Sequence, residues 1–160
     1  MEVIIGVDPV KGGNIRKTSD DFFKTNIVKF DFIFIDGFHQ FDQVLRDFVN
    51  SLKATEDNKI IVIDDCLPSA YTEQCTPRQQ LKWTGDVWKL LFLIYEMKFD
   101  YIISNCESGL GIIKSDKNKI NDIKKINVEK FKNLSFEYFF NNYNKLNIKS
   151  YAETLNFLKE

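Results

Sequence analysis

Phe32-Ile33-Phe34-Ile35-Asp36-Gly37 and, 28 positions further on, Ile60-Ile61-Val62-Ile63-Asp64-Asp65 decide the fold. Each is a short unbroken apolar run closed by an acid, the pattern of strands buried on both faces in a parallel sheet. Between them Phe41, Val44, Leu45, Phe48, Val49 and Leu52 recur at helical spacing, with Asp42, Arg46, Asp47 and Lys53 outside, so a crossover helix follows from Phe41. Strand, helix, strand in that order implies a layered α/β domain.

Working outward, Val3-Ile4-Ile5-Gly6-Val7 is a third apolar run, ending at Asp8-Pro9, and is expected to be a further strand of the same sheet. Thr18-Ser19-Asp20-Asp21 offers cap residues for a short helix through Phe22-Phe23. On the far side, residues 66–82 carry two prolines and many polar groups and read as a long loop. An apolar helix is expected over Asp86–Met97, then strands near Tyr101–Ser104 and Gly111–Lys114 joined by a turn at Glu107-Ser108-Gly109. Beyond Ser115 the chain is rich in Lys and Asn, with amphipathic pieces at Phe136–Tyr143 and Tyr151–Leu158. It divides into an α/β core over residues 1–116 and a helical extension over 117–160 packed on that core.

Composition narrows the function classes. The 160 residues carry a formal net charge of −1, which gives no electrostatic reason to expect nucleic acid or an anionic membrane. Cys66, Cys75 and Cys106 have neither metal-ligand spacing nor an even count for a disulfide framework, so free thiols are expected. No apolar run approaches the roughly 20 residues of a membrane helix. A cytoplasmic protein is the expectation, with homo-oligomers left open.

Ligands of open α/β sheets bind beyond the carboxyl ends of the strands. Asp8, Asp36, Asp64 and Asp65 all stand at such ends and are expected to gather on one rim. Asp8 there can accept hydrogen bonds from ribose hydroxyls, or can simply form the turn before Pro9. Crowded carboxylates call for a cation, and an oxygen-only set of Asp36, Asp64 and Asp65 suits Mg2+; the plainer reading has them start turns. His39, the only histidine, is placed to act as a general base or to remain a surface residue. Trp83 and Arg78 are weaker candidates for a substrate wall and an anion contact.

In chain order, Ile5-Gly6-Val7-Asp8-Pro9, Thr18-Ser19-Asp20-Asp21-Phe22-Phe23, Phe32–His39, Val62-Ile63-Asp64-Asp65-Cys66 and Gly85-Asp86-Val87-Trp88-Lys89 resemble a bacterial class I S-adenosylmethionine (SAM) methyltransferase family, often associated with sugar modification. The resemblance implies a Rossmann-like sheet, mostly parallel with an antiparallel last strand. It implies that SAM is held by Asp8 at the ribose, by the Ser19–Asp20 region near the adenine and by Asp36. Spacing similar to metal-dependent O-methyltransferases makes Asp36, Asp64 and Asp65 the metal set and His39, with Asp36, catalytic. The family's first strand and glycine-rich loop have no counterpart before Asp8, so the sheet is expected to be truncated at its N-terminal side. Two functions follow: O-methylation of a sugar or small-molecule hydroxyl, or a catalytically silent methyltransferase-like module used for binding or assembly.

Overall fold

The computed structural model describes residues 4–159. A short helix, α1 (Ser19–Thr25), precedes strand β1 (Phe30–Ile35), helix α2 (Phe41–Ala54) and strand β2 (Thr55–Ile63). Helices α3 (Tyr71–Gln74) and α4 (Trp88–Glu96) follow, then β3 (Tyr101–Ser104) and β4 (Leu110–Lys114). The chain ends with α5 (Lys119–Ile123), α6 (Val128–Lys132), α7 (Phe136–Asn142), a 3-10 turn at Tyr143–Lys145, β5 (Ile148–Lys149) and α8 (Tyr151–Phe157).

The strands form one sheet in the order β1-β2-β4-β3-β5. β1 and β2 run parallel, joined through α2 as a parallel pair requires. β4 lies antiparallel between β2 and β3, and β5 pairs parallel with β3. The architecture is mixed α/β and consistent with a Rossmann-like fold; the antiparallel strand is β4, whereas the last strand, β5, is parallel to its neighbour. The sheet is less parallel than expected, because residues 105–109 join β3 to β4 as a hairpin, and a link that short cannot make the crossover that a parallel pair needs.

Alternation along the strands divides the sheet into unequal faces. On one, Ile35, Ile61, Ile63, Ile103 and Ile113 pack under α2 and α4, with Phe48, Leu52, Trp88, Leu91 and Ile94 in the same core. Phe131 of α6 and Phe139 of α7 complete that core, and the Phe139 ring lies tilted against Trp88, centroids 5.2 Å apart. The aromatic stretch at 136–143 is thus a docking helix. On the opposite face Val62, Ile102 and Ile112 are buried with help from Phe157 of α8, whereas Phe32 and Phe34 of β1 stay exposed.

The expected strand at Val3–Val7 is corrected. Val3 lies outside the described residues, and Ile4 is 79% exposed. The segment makes one bridge, Val7 to Ile15, parallel but outside the sheet. The reason is local: the Asn14 side chain takes the Gly6 amide at 2.8 Å and donates to the Ile4 carbonyl at 3.2 Å, filling groups that a sheet neighbour would use. Asp8 therefore does not close a strand of the sheet.

Candidate functional site

Of the four aspartates expected on one rim, the sheet gathers three. Asp36 follows β1, and Asp64 continues the β1–β2 ladder by donating its amide to the Ile35 carbonyl at 3.0 Å. At Asp65 the backbone turns into the left-handed region, φ 57°, an uncommon state for a residue with a Cβ. That turn splits the two adjacent acids. Asp64 keeps its Oδ1 on the Asp65 amide at 2.8 Å, while Asp65 sends Oδ2 to His39 Nδ1 at 3.1 Å.

His39 is the hub. Its Nδ1 lies 2.9 Å from the Trp83 carbonyl and its Nε2 lies 3.6 Å from Asp36 Oδ1. A carbonyl only accepts, so the Nδ1 position carries the proton and the neutral ring keeps its lone pair on Nε2. The Trp83 ring stacks on the imidazole, centroids 5.2 Å apart and 19° from parallel, and Phe38 packs its edge on the same Trp83. Trp83 is in turn fixed by donating Nε1 to the Cys75 carbonyl at 2.7 Å. The expected wall residue is thus the backing of the histidine. Arg78 rests over Trp83 and gives Nε to the Gln80 carbonyl at 2.7 Å, so it serves its own loop.

The Gly85–Lys89 segment explains why the turn is held. A Cβ on Gly85 would stand 1.7 Å from the His39 carbonyl oxygen, and Gly85 adopts φ +57°, so only glycine fits. The Asp86 amide donates to that same His39 carbonyl at 3.2 Å. Asp86 Oδ1 accepts the Phe41 amide at 2.6 Å and so caps α2 from outside, because Gln40 at the cap position makes no such bond. Lys89 pairs with Asp86 Oδ2 at 3.0 Å and donates to the Lys132 carbonyl. Nothing in the one-dimensional pattern marks Gly85 or Asp86 as partners of His39; only the close approach reveals it.

Burial pushes the Asp64 and Asp65 carboxyls above their ordinary range, opposed at Asp64 by the Asp65 amide and at Asp65 by the nearby His39. Asp36, His39, Asp47, Asp64 and Val87 line a cavity of about 10 Å3, room for one water centre.

Asp8 behaves differently. Its Oδ1 accepts the amides of Val10 and Lys11 and faces Arg16 at 3.5 Å. Those amide bonds hold the carboxyl below its ordinary range, so it is anionic. Among the described residues no hydrogen bond falls on its Oδ2. Ser19 and Asp20 open α1 and face α2, where Gln43 Nε2 donates to Ser19 Oγ at 3.3 Å and Arg46 lies 3.4 Å from Asp20.

Among the described residues, one group of three potential metal donors comes together: Asp36, His39 and Asp65, each offering an atom within 4.8 Å of the others. The oxygen-only trio expected for Mg2+ is not that group, since Asp64 drops out and a nitrogen enters. A nitrogen donor suits transition metals better than Mg2+. His39 is set between the two acids and takes one place of the group through a ring nitrogen. The residues do not fit Mg2+, and no step is routed through it.

Residues 11–66 match the family model of a methyltransferase domain. The match supports a likeness of that segment to the class I SAM-dependent methyltransferases. It contains Ser19, Asp20, Asp36, His39, Asp64 and Asp65 but begins after Asp8, so the methyltransferase match covers the clustered acids and their histidine. No curated protein matches the chain at a significant level. No helix among the described residues is long and apolar enough to cross a membrane.

Proposed function

We propose that the chain is a SAM-dependent O-methyltransferase domain acting on a hydroxyl of a sugar or other small molecule. The observation that carries this is His39, held between Asp36 and Asp65 with Nε2 facing Asp36. The donor chemistry suits the cofactor: the anionic Asp8, with Oδ2 to offer a ribose, and Ser19 and Asp20 at the head of α1 for the adenine end. SAM, when bound, supplies an electrophilic methyl group.

In this reading the acceptor hydroxyl lies between Nε2 of His39 and Asp36. Nε2 takes the hydroxyl proton as the oxygen attacks, and the resulting imidazolium sits between two carboxylates, with Nδ1 still donating to Asp65 and Trp83. Trp83 and Gly85 prevent the ring from turning away, so the base is oriented before the acceptor arrives. The partly buried setting of His39 and Asp65 strengthens their ion pair formed on protonation.

A second reading, a catalytically silent methyltransferase-like module, is favoured by one feature: the cavity beside His39 admits no more than a water centre. Titration calorimetry with S-adenosylhomocysteine separates the two. The enzyme reading expects saturable binding and methyl transfer that persists in a chelator. No heat at millimolar ligand supports the silent module, and transfer abolished by chelation and restored by Mg2+ overturns the metal-free mechanism.

A further inference from the structure

Asp47 lies on the buried side of α2 with Val44, Phe48 and Ser51, where an aliphatic residue would pack without cost. It is 5% exposed. Gln43 Nε2 donates to Asp47 Oδ1 at 3.1 Å and to Ser19 Oγ at 3.3 Å, and Ser19 is itself hydrogen-bonded to the carboxyl. Arg46 adds a second strut, meeting both Asp20 and the Gln43 side-chain oxygen. On its other flank, Asp47 Oδ2 stands 3.6 Å from the place a Cβ on Gly37 would occupy, and Asp47 shares the small cavity with Asp36, His39 and Asp64. One side chain therefore touches the head of α1 and the turn that carries His39.

We propose that Asp47 is a positioning residue that couples the Ser19–Asp20 end of α1 to the Asp36–His39 turn, so that a ligand seated on the first sets the second. This rests on the reading of Ser19 and Asp20 as cofactor contacts and adds a mechanical link to it. The physical ground is that a carboxyl in an apolar layer is costly unless its hydrogen bonds are met: Gln43 of its own helix meets one, and Ser19 meets another only while α1 stays docked. Undocking α1 takes the Ser19 hydrogen bond from the carboxyl beside Gly37, and the turn is the soft neighbour against which it can move. Asp20 and Arg46 are the charged groups that face this carboxyl from α1 and from its own helix.

His39 is the only histidine, so its Hε1 resonance reports on the turn without ambiguity. The test uses the full chain. Ser19→Ala, at a partly exposed position, is expected to shift the His39 resonance although it does not touch the ring, and Asp47→Ala to shift it further. In the wild type, S-adenosylhomocysteine is expected to slow amide hydrogen exchange at 37–40 as well as 19–22. The protection at 37–40 should fall about threefold to tenfold in Asp47→Ala, while Leu90–Ile94 exchange as in the wild type. An unmoved His39 signal in Ser19→Ala overturns the coupling. So does Asp47→Ala exchange that rises equally in α4, which makes the residue merely structural. If Asp47→Ala does not fold, the Ser19→Ala spectrum decides alone. Absence of ligand binding in the wild type defeats the SAM reading, and the resonance shift still judges the coupling.

Discussion

The loop at residues 6–15 and the turn at 36–39 both begin as an apolar run closed by an aspartate, and they end as different objects. Asp8 is satisfied by amides two and three residues away, and its loop is bridged to nothing but itself through Val7 and Ile15. The 36–39 turn has almost no local hydrogen bonds. It is held by Asp65, Trp83, Gly85 and Asp86, all from segments 26 or more positions distant. A locally satisfied acid is a folded turn; an acid and a histidine fixed from afar, in a partly buried setting, are the arrangement that chemistry requires.

This comparison can be broken by experiment, beginning with the largest effect. His39→Gln, which keeps a polar side chain but no base of suitable strength, is expected to lower kcat about a hundred- to ten-thousand-fold. Its affinity for S-adenosylhomocysteine should stay unchanged. Asp8→Ala should do the reverse, raising the KM for SAM and sparing kcat; steady-state kinetics on both variants decides whether the loop and the turn divide the labour this way.

Next comes glycine geometry. Gly85→Ala drives a methyl into the His39 carbonyl and is expected to cost about 3 kcal/mol in urea unfolding. Gly12 sits at φ +100° with nothing within 4 Å of its Cβ position, so Gly12→Ala carries backbone strain alone, about 1 kcal/mol. Equal losses would contradict the clamp. Smaller again, Asp86→Ala removes the external cap of α2 and leaves Lys89 without its acid, an expected loss of about 1–2 kcal/mol by the same measurement.

The smallest effect is one of sign. Asp64 is raised above its ordinary value of 3.8, so its contribution to stability is full below that pH and is lost as pH climbs through the folded value. Asp8 is lowered below 3.8, so its contribution is full above that pH and disappears on acidification. Unfolding midpoints measured from pH 2.5 to about pH 6 should therefore show Asp64→Asn gaining on the wild type as pH rises above 3.8. Asp8→Asn should lose ground as pH rises toward 3.8. Parallel curves would mean the two acids share one environment after all.

Strand and helix content was readable where the chain states it by repetition. The runs at 32–35 and 60–63 and the helical spacing from Phe41 lead directly to β1, β2 and α2. The meeting of Asp36, His39 and Asp65 was half readable: spacing brings two strand ends together, but only the left-handed turn at Asp65 decides which of two adjacent acids faces the histidine. The run at 3–7 misled because an apolar stretch says what a strand is made of and not what it pairs with, and Asn14 had already taken the backbone. Gly85 and Asp86 stood out only through the resemblance, without their role, and Asp47, expected outside the helix, is buried, because the meaning of all three lies in what approaches them. A glycine forced by another segment's carbonyl looks in sequence like any loop glycine, and a buried Asp on a helix looks like a solvated one.

Lys89 has a consequence beyond the ion pair it makes. Its ammonium joins Asp86, which caps the helix after His39, to the last turn of α6, while Phe136 and Phe139 pack on the indole of Trp88 next door. The Lys- and Asn-rich stretch past Ser115 is therefore no trailing ballast. It is the outer buttress of the histidine's mounting, and anything that pulls on it would be felt 90 residues upstream, where Lys132 also grips Asp42.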